Sequence, residues 1–281
     1  MLHTSASVAD ELIEMRGLRF HYRDWPPTIA GAPDLVLLHG YTGHARSWDA
    51  FASAMTDRYR VLALDQRGHG ESDWAPADRY GVEDMADDLA VFVQALGLRR
   101  FTLLGLSMGG MVAMEYAGRR PKELAALVIV DIGPEIVASG VGRIQAGVRA
   151  ADVFDSRDEA FAAARALNAL PPAAHQRHRV DYSLMHTEDG RWTYRYDRAL
   201  RTGNNLRRRE SDVGWRSCAN IEVPTLVMRG DLSDILAPEV AERMVGTIPD
   251  ARFALVANSG HAIPLDAPEG FLAAARDFLK G

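Results

Sequence analysis

Leu103-Leu104-Gly105-Leu106-Ser107-Met108-Gly109-Gly110 joins a predicted strand to a predicted helix through a serine. The apolar run 101–106 is typical of a buried strand, and residues 111–116 favour a helix. Glycines lie two residues before and two residues after Ser107, where side chains would collide as the chain reverses. We therefore expect the Ser107 hydroxyl to stand above a sheet, at a helix N-terminus that favours developing negative charge.

The composition is that of an ordinary globular protein. With 281 residues and 47% hydrophobic content, the chain can form one large domain, with or without an inserted subdomain. The net charge of -6 offers no basic face, so we expect no nucleic-acid partner. The single cysteine, Cys218, excludes an intrachain disulfide and a cysteine-rich zinc site. Acidic residues occupy positions 10, 11 and 14, and no long apolar run follows, so we expect a cytoplasmic protein without a membrane partner.

Short apolar runs alternate with helical patterns over most of the chain. A hairpin of two edge strands is predicted over 11–25, ahead of six further strand-like runs, of which 35–38 is typical of a strand covered on both faces. These runs are 35–38, 61–64, 101–106, 127–130, 225–228 and 252–256. The alternation predicts an α/β fold: a doubly wound, mostly parallel eight-stranded sheet with helices on both faces. Ligands of such sheets bind at the carboxyl ends of the strands.

The segment 134–211 differs from the rest of the chain. It alternates Ala-rich and Arg-rich helical stretches and contains no run that resembles a buried strand. We expect an inserted helical cap, or lid, at 134–211, and an α/β core domain formed by 1–133 and 212–281.

Four motifs resemble those of the α/β-hydrolase superfamily. They are His39-Gly40, the turn Asp65-x-Arg67-Gly68-x-Gly70-x-Ser72, the pentapeptide Gly105-x-Ser107-x-Gly109, and Gly260-His261 followed by Pro268-Glu269. The resemblance covers nearly the whole chain outside the predicted cap. It implies a catalytic triad in the chain order serine, acid, histidine.

The resemblance assigns Ser107 as nucleophile and His261 as base, because a serine needs a base to take its proton. The family pattern of glycine, spacer, Asp and an apolar pair favours Asp234 as the acid. Asp131 is a competitor, since some members of the superfamily place the acid after the preceding strand. Asp231 is a third choice and is otherwise a turn or capping residue.

Backbone N–H groups are expected to hold the oxyanion of the tetrahedral intermediate. One should come from Met108, directly after the nucleophile, and the second from Tyr41, which follows His39-Gly40. Trp192 and Tyr194 in the cap are candidates to line a substrate cavity, and Arg143 is a candidate to bind a substrate carboxylate.

These residues predict a serine hydrolase that cleaves a small or medium-sized carboxylic ester through an acyl-enzyme. Hydrolysis of a lactone, an amide or a carbon–carbon bond would use the same residues, and a slow-turnover ligand receptor of the same fold is a further alternative. We expect no cofactor and no metal. The expected partner is a small-molecule acyl substrate, and the chain is expected to be a monomer or a homodimer.

Overall fold

A central eight-stranded sheet organises the protein. The structure is a computed structural model and describes residues 7–149, 152–202 and 210–280. The strands of this sheet are β1 (Ala9–Met15), β2 (Leu18–Trp25), β3 (Asp34–Leu38), β4 (Arg60–Leu64), β5 (Phe101–Leu106), β6 (Leu124–Val130), β10 (Thr225–Gly230) and β11 (Ala251–Val256). Their order is β1-β2-β4-β3-β5-β6-β10-β11. The pairs β1–β2 and β2–β4 are antiparallel and the other neighbours are parallel, which confirms the predicted fold class. Only β1 of the predicted edge hairpin lies at an edge, because β2 also pairs with β4.

Helices cover both faces of this sheet. Those of the core are α1 (Asp49–Met55), α2 (Val82–Ala95), α3 (Met108–Gly118), α7 (Ser211–Asn220), α8 (Pro238–Thr247), α9 (Ile263–Asp266) and α10 (Pro268–Phe278), and a 3-10 helix (Ala45–Trp48) precedes α1. Apolar side chains of α1 and α10 pack in one buried cluster. Those of α2, α3, α7 and α8 pack in the other, on the opposite face.

The sequence of β3 shows why an inner strand of this sheet is almost continuously apolar. Val36 and Leu38 point into the cluster with α2, α3, α7 and α8, whereas Leu35 and Leu37 point into the cluster with α1 and α10. All four side chains are fully buried. Alternate residues of a strand face opposite sides of a sheet, so a strand covered on both faces needs apolar residues at every position.

The inserted segment between β6 and α7 contains both helices and a small sheet. Its elements are α4 (Ala138–Arg149), β7 (Val153–Phe154), α5 (Arg157–Leu167), α6 (Ala173–Ser183), β8 (Leu184–His186), β9 (Trp192–Tyr194) and a 3-10 helix (Arg198–Thr202). The strands form an antiparallel sheet in the order β7-β9-β8. The sequence indicated helices here, because strands of two or three residues are too short to show an alternating pattern. The division into core and cap stays a prediction.

None of the helices within the described ranges has the length and apolar character required to traverse a lipid bilayer.

Candidate active site

Ser107 occupies a strained turn between β5 and α3. Its backbone has a φ of 54°, a left-handed conformation that is uncommon for residues other than glycine. The helix passes so close to the sheet that a Cβ on Gly109 would lie 2.5 Å from the Leu38 carbonyl oxygen. A Cβ on Gly105 would overlap the carbonyl group of Gly109. Both glycines therefore permit the close packing of strand and helix that holds Ser107 at the carboxyl end of β5.

The structure brings His261 to Ser107. The Nε2 atom of His261 lies 2.8 Å from the Oγ atom of Ser107, which is only 8% exposed. Ser107 and His261 are separated by 154 positions in the chain, so tertiary folding alone creates this contact.

The carboxylate beside His261 belongs to Asp131, which corrects the preference for Asp234. Nδ1 of His261 lies 2.8 Å from Oδ2 of Asp131, and Asp131 is completely buried. A carboxylate only accepts hydrogen bonds, so the ring proton lies on Nδ1 and Nε2 is free to accept from the Ser107 hydroxyl. Asp234 instead accepts two hydrogen bonds from the Arg143 guanidinium, at 2.7 and 2.6 Å. This guanidinium lowers the pKa of the Asp234 carboxyl below its ordinary value.

The order of the strands explains why Asp131, and not Asp234, lies beside His261. Asp131 follows β6, which lies directly beside β5 and its serine. The loop that carries His261 leaves the outer strand β11 and must cross β10 to reach them. A Cβ on Gly230, the last residue of β10, would overlap the carbonyl oxygens of Ser259 and Gly260. The crossing therefore depends on a glycine at the end of β10.

Neighbours from the loop after β10 hold Asp131 in place. The Ser233 hydroxyl donates to Asp131 Oδ2 at 2.6 Å, and the Gly230 N–H donates to Oδ1 at 3.1 Å. Asp231 accepts a hydrogen bond from the Ser259 N–H at 3.0 Å, so it anchors the histidine loop. Sequence reasoning missed Ser233, although its place in a loop beside the end of β6 was a usable signal.

The two predicted oxyanion donors lie next to Ser107. Met108 begins α3, and a Cβ on Gly40, the residue before Tyr41, would lie 3.2 Å from the Ser107 Cβ. Among the described residues, neither the Tyr41 nor the Met108 N–H donates a hydrogen bond. The Tyr41 side chain is held separately, because its hydroxyl donates to the Leu200 carbonyl.

His39 braces the loop that carries Tyr41. Its Nδ1 donates to the Gly40 carbonyl at 2.8 Å, while its Nε2 accepts from the Gln66 N–H at 3.0 Å. Burial lowers the pKa of His39 to about 4, so its ring is neutral near pH 7. The structure thus gives His39 a supporting place, apart from the Ser107–His261 pair.

A cavity of about 290 Å³ opens over Ser107, and we call it the Ser107 cavity. The loop 39–43, Ser107 and His261 line it from the core, and helices α4, α5 and α6 line it from the inserted segment. Its apolar lining includes Leu106, Ala164, Leu167, Pro264 and Leu265. The core and the inserted segment are therefore both needed to form the Ser107 cavity.

Two of the three predicted substrate-binding residues line this cavity. Tyr194 and Arg143 do so, whereas Trp192 does not. The Trp192 ring packs instead on His186, with ring centroids 3.8 Å apart, and under the Arg157 guanidinium. Trp192 shares a strand face with Tyr194 but lies two residues, or about 6.6 Å, further along the strand. Arg179 on α6 also lines the cavity, and its position in an arginine-rich helix gave no sequence signal for this.

No cluster of three or more His, Cys, Asp or Glu side chains suited to a metal ion occurs in the part of the chain that the structure describes.

The comparisons with known proteins agree on one fold family. The alpha/beta hydrolase fold family matches residues 33–268. A 3-hydroxybutyrate-oligomer hydrolase of Cupriavidus necator is 30% identical, over 94% of this chain and 93% of that protein. The sn-1-specific diacylglycerol lipase ABHD11 of Mus musculus is also 30% identical, over 98% of this chain and 90% of that protein. The crystal structure of E-2-(acetamidomethylene)succinate hydrolase superposes with a TM-score of 0.88 at 22% identity, covering 98% of this chain and all of that one, which is a likeness of fold.

Proposed function

We propose that this chain, which belongs to the α/β-hydrolase family, is a serine hydrolase that cleaves small or medium-sized carboxylic esters. The observation that carries the proposal is a line of two hydrogen bonds from Ser107 through His261 to Asp131, each 2.8 Å long. This line ends at the Ser107 cavity, where a substrate carbonyl can approach the hydroxyl. The geometry is that of a nucleophile, its base and the group that orients the base.

The proposed reaction begins when Ser107 Oγ attacks the ester carbonyl. His261 Nε2 takes the hydroxyl proton during attack and returns it to the departing alkoxide, which leaves as an alcohol. Asp131 keeps the proton-bearing Nδ1 in place and stabilises the imidazolium that forms. Water then attacks the acyl carbonyl while His261 takes one of its protons, and His261 returns this proton to Ser107 Oγ as the bond from Oγ to the acyl carbon breaks and the acid leaves.

Negative charge develops on the carbonyl oxygen in both steps. The N–H groups of Met108 and Tyr41, with no partner among the described residues, are the proposed donors to it. One such donor is worth about 10²–10³ in kcat, because it is aimed at the charge before the reaction starts.

Two of the relatives support ester cleavage. One is a hydrolase of 3-hydroxybutyrate oligomers and another is a diacylglycerol lipase, and the bonds in both named substrates are esters. A cavity of about 290 Å³ is at the lower end of the range for small-molecule sites, about 300–1,000 Å³, which favours compact substrates.

Hydrolysis of p-nitrophenyl esters from acetate to octanoate tests this proposal. We expect many turnovers per enzyme molecule, fastest for the short esters, and a loss of at least about 10⁴-fold in kcat for Ser107→Ala. Ser53→Ala, an exposed serine on α1, is the matched control and should keep full activity. A single stoichiometric release of p-nitrophenol would favour the slow-turnover receptor. No release from any ester would overturn the proposal.

A further inference from the structure

Arg179 presents a guanidinium group to the Ser107 cavity. The residue lies in α6, and its backbone carbonyl accepts a hydrogen bond from His44 Nε2 at 3.0 Å. This bond ties the main chain at Arg179 to the core loop after β3. The guanidinium therefore shares a cavity with Ser107 and His261 on an element that is held against the core.

The Arg179 guanidinium has no counter-ion. It forms no ion pair and donates no hydrogen bond to any residue within 7–149, 152–202 and 210–280. The remaining positions, 1–6, 150–151, 203–209 and 281, contain neither Asp nor Glu. All the side-chain carboxylates of the protein are thus accounted for, and none of them pairs with Arg179.

Other buried or cavity-lining arginines have hydrogen-bond partners for their guanidinium groups. Arg143, on the same cavity, is paired with Asp234 through two hydrogen bonds. Arg67, in the core, is paired with Asp88 through two hydrogen bonds of 2.6 Å. Buried Arg229 has no carboxylate partner but donates to three backbone carbonyl oxygens. Among these arginines, only Arg179 has no hydrogen-bond partner within the described residues.

The surroundings of Arg179 leave its charge uncompensated. Asp266 is the carboxylate whose charge acts on it, but the Asp266 oxygens accept from the Gly260 N–H at 2.9 Å and from Asn168 Nδ2 at 2.8 Å. Burial lowers the pKa of the Arg179 guanidinium below its ordinary value. Removing a cation from water without a partner costs free energy, and an anionic group entering the cavity would recover part of it.

We propose that Arg179 binds a free carboxylate on the substrate, so that the preferred substrates are short esters that carry a carboxylate away from the scissile carbonyl. This inference rests on the proposed function and adds to it the class of ester. One planar guanidinium matches the charge and shape of one carboxylate, which it can bind through two parallel hydrogen bonds. The small cavity limits the spacer between the carboxylate and the ester carbonyl to a few carbons.

Two series of esters that differ in one terminal group test the proposal. The first is monoethyl succinate, glutarate and adipate, and the second is ethyl butanoate, pentanoate and hexanoate, in which a methyl group replaces the carboxylate. Acid release is followed at constant pH for the wild type, Arg179→Met and Arg179→Lys. For the best spacer we expect kcat/KM of the wild type to be at least about tenfold higher for the carboxylate ester. Arg179→Met should lower kcat/KM more for the carboxylate esters than for the uncharged esters, so that this ratio falls to about one, and Arg179→Lys should keep part of the ratio.

Arg177→Met is the matched control on the same helix. Arg177 lies two residues from Arg179, about 200° around the helix, and pairs with Asp158 and Asp181. We expect this variant to keep the wild-type ratio. A ratio near one in the wild type, or a ratio that Arg179→Met leaves unchanged, would overturn the proposal while ester hydrolysis itself stands.

A binding measurement separates the carboxylate site from the reaction. Glutarate and adipate are titrated calorimetrically into Ser107→Ala and into Ser107→Ala/Arg179→Met. Binding that disappears with Arg179 supports the site even where no ester is hydrolysed, and in that case only the proposed function fails. Equal binding to both proteins, or binding to neither, would overturn the proposal. Because Arg179→Met removes an unpaired cation, we expect the variant to unfold at the same temperature as the wild type or higher.

Discussion

The Asp131 carboxylate receives the Nδ1–H of His261 at 2.8 Å, and it does so without any exposure to solvent. Its other hydrogen bonds come from Ser233 Oγ and the Gly230 N–H, so the carboxylate is held from the neighbouring strand. A buried, fixed acceptor keeps one tautomer of His261 and aims its Nε2 at Ser107.

Replacement of Asp131 with Asn should reduce kcat for the best p-nitrophenyl ester by about 10⁴-fold. The amide is nearly isosteric, but it can donate to Nδ1 and so stabilise the tautomer that places the proton on Nε2. Steady-state kinetics measures the effect, and circular dichroism checks that the fold is kept. An Asp131→Asn enzyme with more than a tenth of the wild-type kcat would contradict this assignment.

Replacement of Asp234 with Asn should change kcat by less than about tenfold, because its partner is Arg143 and not His261.

The side chains of Arg143 and Asp234 are 54% and 37% exposed, and pairs of this kind contribute about 0–1 kcal/mol to stability. A double-mutant cycle of urea unfolding with Arg143→Gln and Asp234→Asn should therefore give a coupling energy below about 1 kcal/mol. The buried Arg67–Asp88 pair is the contrast, since Arg67→Met should cost about 3–5 kcal/mol. A coupling energy of about 2 kcal/mol or more would mean that the Arg143–Asp234 contact is a main attachment of the inserted segment.

A Gly230→Ala substitution should impair catalysis through the path of the histidine loop. The added Cβ would overlap the carbonyl oxygens of Ser259 and Gly260, which lie just before His261. We expect the loop to be displaced and kcat to fall at least about 10²-fold, since small shifts of a catalytic group are costly. Gly246→Ala is the control, because a Cβ there meets open space in α8 and should stabilise the helix by up to about 1 kcal/mol. Wild-type kcat in Gly230→Ala would show that the loop does not depend on this crossing.

Stability should fall as the pH drops from about 6.5 towards 4, because three histidines are buried in the neutral form. Burial lowers the pKa of His39 and His44 to about 4 and that of His69 to about 3. Between these values and 6.5 the unfolded chain binds protons that the folded chain does not, so the free energy of unfolding rises with pH in this window. The pKa of His21 is raised, with burial opposing and the Asp65 hydrogen bond favouring its charged form, so at pH 5.5 it is protonated in both states and adds nothing.

Urea unfolding between pH 5 and pH 6 measures this proton uptake as a slope. We expect an uptake of about three protons near pH 5.5, and about two in His44→Gln. A free energy of unfolding that does not change over this range would show that these histidines titrate normally in the folded protein.

Several features of the site could be predicted because they are local in the chain. The glycines at 105 and 109 indicate a tight strand–helix turn around Ser107, and in the structure Ser107 lies between the end of β5 and the start of α3. The short apolar runs predicted the inner strands of the sheet, since a strand buried on both faces is mostly apolar. Strands of two or three residues within the inserted segment left no such pattern, and the sequence indicated helices alone there.

Local sequence patterns could not decide whether Asp131 or Asp234 lies beside His261. Both follow a strand and both are near the predicted site, so the motif around residue 234 favoured the wrong neighbour for His261. Strand order decides the matter, because β6 lies beside β5 and the histidine loop crosses β10 to reach the end of β6. Asp234 instead pairs with Arg143, which lies 91 positions away in the chain.

The sequence by itself determined the sheet, the strained serine turn and the identity of the nucleophile and base as candidates, because each depends on residues close together in the chain. Only the tertiary structure decided which carboxylate meets His261, that Trp192 lies away from the Ser107 cavity, and that Arg179 enters it without a counter-ion. The physical reason is that a strand or a turn is governed by neighbouring backbone and side-chain geometry, whereas an ion pair or a cavity depends on which distant segments pack against each other.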